Sequence, residues 1–311
     1  MRVLVAGATG VIGRQLMPLL TAVGHEVTGL SRSPGNDRQG QWVTADALDR
    51  TGLEKAVREA APDAVVNLLT AIPGAIDPRH LAGDFALTNR LRTEGTRNLL
   101  DAALAVGAQR IIAEGLAYAY DPSGDAVKNE DAPLWRRPPK QFRPVLDALK
   151  DLEGQTAAAD GLVLRFGHLY GPGSAYASDG AFIRQIRAGK FPVAGKGTAV
   201  FSFTHAHDAA TAIAAALDRG GSGVLNVVDD TPAPLHEWLP AVAKLAGGPQ
   251  PKRVPAALAR MAAGGWGVAF LTELRGADNA RARLRLDWRP RFASWREGFA
   301  VEFGGDRASA A

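Results

Sequence analysis

The sequence of 311 residues contains no cysteine, which excludes disulfides, cysteine nucleophiles and thiolate metal sites. We therefore expect a cytoplasmic protein and no metal site. No apolar run reaches membrane-spanning length, and the first residues, MRVLVAGA, enter a strand without a secretory leader. The net charge is only +4, and the arginines near the C-terminus are not spaced along one helical face. These features favour a small-molecule partner over nucleic acid or a membrane.

Short β-branched runs alternate with amphipathic helical patterns from residue 1 to about residue 230. The alternation predicts an α/β fold of the Rossmann type, a doubly wound parallel sheet covered by helices on both faces. Residues 1–169 should form this domain, with 201–230 returning to the sheet. Residues 170–200 and 231–303 are rich in Gly, Pro and Arg, and we expect them to form a smaller, interleaved C-terminal lobe that binds substrate.

The first strand is followed by a glycine-rich turn, VLVAGATGVIG, which places Gly7, Gly10 and Gly13 before the first helix. Glycine at such a turn lets a pyrophosphate approach backbone N–H groups at the helix N-terminus. Because a strand precedes the motif and a helix follows it, the pattern predicts dinucleotide binding. Residues 1–169 then become the cofactor-binding domain.

The end of the second strand indicates which dinucleotide is bound. A carboxylate there would hydrogen-bond the adenosine ribose of NAD, but this chain carries Ser31 and Arg32. A guanidinium suits the 2′-phosphate of NADP(H), and Arg38 is a candidate second contact. We therefore predict NADP(H), with NAD(H) as the weaker alternative.

Several ordered motifs make the chain resemble the extended or atypical short-chain dehydrogenase/reductases, near the NAD-dependent epimerase/dehydratase branch. They are AGATGVIG, TADALD, EGTRNLLDAALAVGAQRII, LRFGHLYGPG, FSFTHAHDAATAI and LDWRPRFASWREGF. The resemblance implies that Asp46 contacts adenine, and that a homodimer can form through helices such as RLRTEGTRNLLDAALAVG. The further cofactor contacts that it implies are Thr9, Val11, Ile12, Ala47, Leu68, Leu69, Thr70, Gly115, Phe166 and Gly167.

The catalytic residues of that family are missing from this sequence. Family enzymes use a Ser or Thr after the fifth strand and a Tyr-x-x-x-Lys pair on the next helix. Leu116 stands at the serine position, and Val145 and Leu149 stand at the pair, or Leu146 and Lys150 in a shifted register. No lysine follows four residues after any of the four tyrosines, Tyr118, Tyr120, Tyr170 and Tyr176.

Two sources of a proton remain. The protein could supply it from Tyr118 or His168, which are the candidate catalytic residues, although both could equally be packing residues. Alternatively, the substrate could carry its own donor, as does an aromatic ketone beside a hydroxyl group. Leu116, Val145 and Leu149 would then line an apolar slot for a flat ring. Glu114 could be either a buried hydrogen-bonded group or a pocket residue.

Three hypotheses follow for the function. The first is an NADPH-dependent ketoreductase of a bulky aromatic carbonyl, resembling atypical ketoreductases of aromatic polyketide tailoring. The second is an epimerase or dehydratase of a nucleotide-sugar, which would need the missing base. The third is a non-catalytic NADP(H)-binding sensor.

Overall fold

The computed structural model describes residues 1–33 and 40–308. In chain order the strands are β1 Arg2–Ala6, β2 Glu26–Ser31, β3 Gln41–Thr44, β4 Ala64–Asn67, β5 Arg110–Leu116, β6 Val127–Lys128, β7 Leu162–Phe166, β8 His168–Tyr170, β9 Val193–Ala194, β10 Val200–Phe201, β11 Phe203–His205, β12 Gly223–Val227, β13 Ala233–Pro234, β14 Arg253–Val254 and β15 Gly276–Ala277. The helices are α1 Val11–Ala22, α2 Arg50–Ala60, α3 Leu81–Asp84, α4 Ala86–Arg90, a π-helix Leu91–Gly95, α5 Thr96–Ala105, α6 Arg143–Ala158, α7 Ala181–Arg187, α8 Ala206–Asp218, α9 Leu235–Leu245, α10 Ala256–Thr272, α11 Ala280–Leu286 and α12 Trp295–Ala308. No helix within the described ranges is long and apolar enough to cross a membrane.

The central sheet has seven strands in the order β12-β7-β5-β4-β1-β2-β3. Every neighbouring pair is parallel; Val3 of β1, for example, lies opposite Val27 of β2 and Ala64 of β4. The Rossmann-type prediction is therefore confirmed. Since the strands are parallel, their carboxyl ends meet at one edge, where the turns that bind ligands in such sheets are found.

Helices cover both faces of the sheet, which explains why its strands are apolar almost throughout. All five residues of β7 are buried, and so are all four of β4. On one face Val3 and Val5 pack with side chains of α1 and α8, and on the other Leu4 and Ala6 pack with side chains of α2 and α5. The sheet thus forms a rigid platform for the loops at its carboxyl edge.

The helix predicted as one element over residues 90–106 is interrupted. A π-helical segment, Leu91–Gly95, lies between α4 and α5. It is held by the Thr96 hydroxyl, which donates to the carbonyl of Leu91 at 3.3 Å, and by the Thr93 hydroxyl, which donates to the carbonyl of Asn89 at 3.0 Å. Such insertions are frequent at functional sites, and this one directs the Arg92 side chain into the interior.

Short strand pairs link the segments that lie outside the central sheet. Short strand pairs, β9 with β14 and β10 with β13, join residues 193–201 to residues 233–254. A large apolar cluster fills this region and extends to Val145 and Leu149 of α6. Farther along the chain, Ala282, Leu286 and Trp288 pack instead with the helices of the sheet. Residues 231–303, predicted to belong to one lobe, therefore divide between the two apolar clusters.

Candidate active site

The glycine turn between β1 and α1 has the geometry that a dinucleotide requires. Gly7 has φ +88°, and a Cβ atom there would lie 2.4 Å from the carbonyl oxygen of Leu68. A Cβ atom at Gly13 would lie 2.6 Å from the backbone of Ala8, so glycine also permits the close packing of α1 on β1. Gly10 caps α1 without a side chain, and no acidic residue occupies the first turn. The helix N-terminus therefore fits a pyrophosphate.

The residues predicted to choose between the cofactors lie at the end of β2. Ser31 ends the strand, and its hydroxyl donates to the carbonyl of Ser33 at 2.8 Å. Arg32 follows and is exposed, whereas Arg38 lies outside the described residues. Asp46 is exposed after β3, and its carboxylate accepts the N–H of Leu48 at 2.9 Å. Since both side chains are exposed after neighbouring strands, Arg32 and Asp46 stay predicted contacts of the adenosine part of the cofactor.

The other predicted cofactor residues gather at the same edge of the sheet. Leu68, Leu69 and Thr70 follow β4, and Gly115 lies near the end of β5. Phe166 ends β7, and its carbonyl accepts the N–H of Ala117 at 2.8 Å. The turn at the start of α1 supplies the remaining predicted contacts, Thr9, Val11 and Ile12, while Ala47 is buried after β3 and Gly167 follows β7. These residues therefore lie at the carboxyl edge of the sheet, where a dinucleotide is expected to bind, and they stay predicted contacts.

The catalytic positions of the family are apolar in space as well as in sequence. Leu116 ends β5, and Val145 lies on the first turn of α6; both side chains line the same cavity. Leu149 is buried in the adjoining core but is not among the cavity-lining residues, so only two of the three predicted wall residues line the slot. In the shifted register Leu146 is fully buried and Lys150 is exposed to solvent, so that lysine does not enter the site.

A cavity of about 410 Å³ lies between α6, β8 and α10. This volume falls within the range of drug-sized ligand sites. Most of its wall is carbon, and its polar side chains are few, with Gln185 and Lys190 exposed at the surface. Its rings belong to Tyr118, Phe142, His168, Tyr176, Phe182, Phe191, Trp266 and Phe270. Such walls favour a flat, apolar ligand.

Tyr118 and His168 form the polar floor of the cavity. Their rings are stacked, with centroids 4.4 Å apart and planes 11° apart. His168 is buried; its Nδ1 lies 3.4 Å from the Tyr176 hydroxyl, and its Nε2 has no hydrogen-bond partner in the described part of the chain. Both sequence-predicted catalytic residues are thus brought together beside Leu116.

The same burial makes both rings poor proton-transfer groups. Desolvation lowers the pKa of His168 to about 3, so its imidazole is neutral at physiological pH. Burial raises the pKa of Tyr118 to about 12, against a smaller opposing effect of the Arg92 guanidinium. His168 therefore stays a predicted catalytic residue, and its lowered pKa disfavours proton donation from an imidazolium form.

Behind Tyr118 lies a charged pair that the sequence did not reveal. Arg92, on the π-helix, is fully buried, and its Nη2 is 3.8 Å from Oε1 of Glu114. Desolvation raises the pKa of the Glu114 carboxyl, and Arg92 opposes that shift. Glu114 is thus a largely buried partner of Arg92 and does not line the cavity.

Sequence reasoning also missed the cavity wall formed by α10. The ring of Trp266 on this helix stacks on Phe142 with centroids 4.1 Å apart and planes 9° apart. The segment ALARMAAGGWGVAF is apolar except for Arg260. It kinks at Gly264, and its buried side chains lie mainly after the kink, from Trp266 onward. A second omission is Arg14 in the first turn of α1, whose Nε donates to the carbonyl of Thr9 at 2.7 Å and puts a cation beside the predicted pyrophosphate site.

A doubly wound parallel sheet with a glycine turn at β1 and an apolar cavity at its carboxyl edge defines a dinucleotide-dependent enzyme. Residues 3–227 match the NAD dependent epimerase/dehydratase family, and the chain belongs to that family. No group of three His, Asp or Glu residues that could hold a metal ion occurs in residues 1–33 and 40–308.

Curated relatives narrow the class further. A Streptomyces protein named 3-diazoavenalumate denitrifying reductase is 47% identical over 309 residues, covering 97% of this chain and all of that protein. The Bos taurus epimerase family protein SDR39U1 is 34% identical and covers 73% of this chain and 74% of its own length. The chain is accordingly an NAD(P)H-dependent oxidoreductase, as predicted.

Solved structures agree with the fold. UDP-glucose 4-epimerase of Thermotoga maritima, solved with UDP-glucose, superposes with a TM-score of 0.78 at 20% identity and covers both chains completely. Human SDR39U1, solved with NADPH, gives a TM-score of 0.73 at 22% identity, covering 98% of this chain and 99% of that one. At these identities the comparison supports the architecture alone.

Proposed function

We propose that this enzyme uses NADPH to reduce a flat aromatic substrate without a proton from the protein. The observation that carries the proposal is the state of the cavity floor. Leu116 and Val145 line the cavity at the usual catalytic positions. Burial raises the pKa of Tyr118 to about 12, which makes its phenol a weaker acid, and lowers the pKa of His168 to about 3, so that its imidazole is not protonated at physiological pH. A general acid normally contributes about 10²- to 10⁴-fold, so the substrate must make that contribution unnecessary.

We infer that the substrate is an aromatic diazo compound, reduced in its diazonium form. The nicotinamide supplies a hydride when it is bound. A C–H bond would form at the ring carbon as the C–N bond breaks, and the electron pair of the C–N bond would leave with N₂. The positive charge of the diazonium cancels the hydride charge, so no proton is added or removed. The relative named for denitrifying reduction of a diazo compound, at 47% identity, supports this class.

The residues of the chain then bind, orient and exclude water. The stacked Trp266 and Phe142 rings offer a flat wall, and the Tyr118 and His168 rings form the polar floor. Exclusion of water protects an electrophile that would otherwise react with it. Ser31 and Arg32 at the end of β2 support NADP(H) as the cofactor, with NAD(H) as the weaker alternative.

A ketone flanked by a hydroxyl group is the second candidate substrate. Here the hydride would reach the carbonyl carbon, and the neighbouring hydroxyl would give its proton to the new alkoxide. The apolar wall at Leu116 and Val145 supports this class too, because the protein would not need to donate. It corresponds to the ketoreductases of aromatic polyketides that the sequence resembles.

The test uses the purified enzyme with NADPH that carries deuterium at the transferred position. We expect an aromatic diazonium substrate to yield N₂ and deuterated arene in equal amounts with the NADPH consumed, above a control without enzyme. Turnover only of hydroxyketones, lost in their methoxy counterparts, would establish the second candidate. No turnover of either class would contradict both.

A Tyr118→Phe variant separates these mechanisms from proton donation by the protein. If Tyr118 only forms the cavity floor, its loss should change kcat by no more than about threefold. A fall of about 10²-fold or more, with NADPH affinity unchanged, would mean that the tyrosine donates the proton and would refute the proposal.

A further inference from the structure

The aromatic cavity has a single cationic side chain, Lys190, among the described residues that line it. No aspartate or glutamate of the described ranges lines it, and burial lowers the pKa of His168, so the imidazole at its floor is neutral. Within those ranges the ammonium of Lys190 has no hydrogen bond or ion pair. An apolar cavity with one uncommitted cation is suited to a ligand that carries one anionic group.

Lys190 follows a turn at the end of α7 that also positions Gln185. Gly189 has φ +65°, a value that favours glycine, and the N–H of Lys190 donates to the carbonyl of Gln185 at 2.9 Å. Both side chains are exposed and line the cavity. Arg187 on the same helix is already engaged, because its Nε donates to the carbonyl of Ala246 at 2.8 Å. The turn therefore offers an ammonium and an amide to a ligand in the cavity.

A row of aromatic rings leads from the cavity floor to this turn. The ring centroids of His168 and Tyr176 are 5.8 Å apart, those of Tyr176 and Phe182 are 4.4 Å apart, and those of Phe182 and Phe191 are 4.3 Å apart. His168 and Tyr176 are buried, whereas Lys190, which precedes Phe191 in the chain, is exposed. The row thus runs from the interior to the surface. A flat, conjugated ligand along it would have one end at the floor and the other near Lys190.

The charges in the cavity restrict what such a ligand can be. A diazonium ion at the floor would meet no carboxylate of the cavity wall, and Lys190 would repel it. A carboxylate on the same substrate changes this balance, because it pairs with the ammonium and offsets the repulsion between the two cations. The ammonium of Lys190 and the amide N–H groups of Gln185 are donors that suit the two oxygens of a carboxylate.

We propose that Lys190, together with Gln185, binds a carboxylate at the end of the substrate remote from the reacting carbon. This inference rests on the proposed function, since it places the aromatic substrate in the same cavity. It narrows the substrate to an aromatic acid whose carboxylate extends toward the surface. Lys190 then determines specificity and takes no part in the bond changes.

The experiment measures binding of two unreactive probes, cinnamate and its neutral amide, to the enzyme saturated with NADP⁺. Calorimetric titration should show that the wild type binds cinnamate about fivefold to tenfold more tightly than cinnamamide, since a charge-assisted contact at an exposed rim has modest strength. Lys190→Met should remove this preference by weakening cinnamate, with cinnamamide changed less than about twofold. Lys190→Arg should retain the preference. Lys196→Met is the matched control, an exposed lysine that does not line the cavity, and should behave as the wild type.

Salt separates an ionic contact from a change of cavity shape. Added salt should reduce the preference of the wild type for cinnamate and leave the affinities of Lys190→Met unchanged. Equal affinity of the wild type for the two probes, binding of neither probe, or equal weakening of both in Lys190→Met would overturn the proposal. The probes carry no diazo group, so their binding does not depend on the diazonium chemistry. Failure of diazonium turnover would contradict the proposed reaction while leaving the carboxylate preference as a separate result.

Discussion

Replacing His168 with leucine should make the protein less sensitive to acid. His168 is 5% exposed, and burial holds its pKa at about 3 in the folded state. In the unfolded chain the imidazole would titrate near its ordinary value of 6.5. Between those two pH values the unfolded chain binds a proton that the folded protein does not bind. Stability is therefore lost as the pH falls through this window.

The size of the effect follows from the pKa difference. Each pH unit below 6.5 costs the folded state about 1.4 kcal/mol until the folded pKa is approached. At pH 5 the loss from His168 alone is about 2 kcal/mol relative to pH 8. Glu114 and Asp229 shift in the opposite direction, because burial raises the pKa of each carboxyl. Their contributions are common to wild type and variant and cancel in the comparison.

The assay is urea unfolding followed by tryptophan fluorescence at pH 8 and pH 5. Each protein is compared with itself, so any packing defect caused by leucine is removed. The wild type should lose about 2 kcal/mol more than His168→Leu between the two pH values. The control is His25→Gln, a histidine outside the cavity, which should behave as the wild type. A difference below about 0.5 kcal/mol would show that His168 is not held neutral in the folded protein. The proposal that the protein supplies no proton would then lose one of its arguments.

Two further predictions concern the cofactor. Gly10→Val should abolish NADPH binding in calorimetric titration, because a branched side chain would occupy the pyrophosphate site. The variant should still fold, since φ is −74° at this position and any residue can adopt that value. Normal binding would refute the site. Arg32→Asp should erode the preference for NADPH over NADH by at least about tenfold in paired dissociation constants, since it replaces the predicted phosphate contact with a carboxylate. Equal affinity of the wild type for the two cofactors would contradict that assignment.

The sheet and the glycine turn were predictable because local sequence determines them. Buried parallel strands require apolar β-branched runs, and the close approach of Gly7 to Leu68 and of Gly13 to Ala8 requires the absence of a Cβ atom. The loss of the catalytic tyrosine and lysine was equally readable, since it needs only the register of α6.

The charged pair and the cavity could not be predicted in the same way. Arg92 occurs in a run of polar residues that is typical of an exposed helix surface, and only the π-helical insertion turns it inward. Trp266 meets Phe142 across more than 120 residues of chain, and no local pattern encodes that contact. Glu114 could be recognised as a candidate, but its partner depended on the same insertion.

The aliphatic residues at the catalytic positions and the aromatic rings around His168 both reduce the protein's ability to donate a proton. Leucine and valine at the catalytic positions provide no acid, and the rings of Phe201 and Phe270 pack against His168. An ordinary ketone in this cavity would meet a barrier higher by about 3 to 5 kcal/mol than in a family member with its tyrosine. A diazonium cation avoids that cost because its reduction produces no oxyanion. The diazonium cation also favours a neutral His168, since an imidazolium beside the cation would repel it. The depressed pKa of His168 is therefore as important to the proposed chemistry as the missing tyrosine.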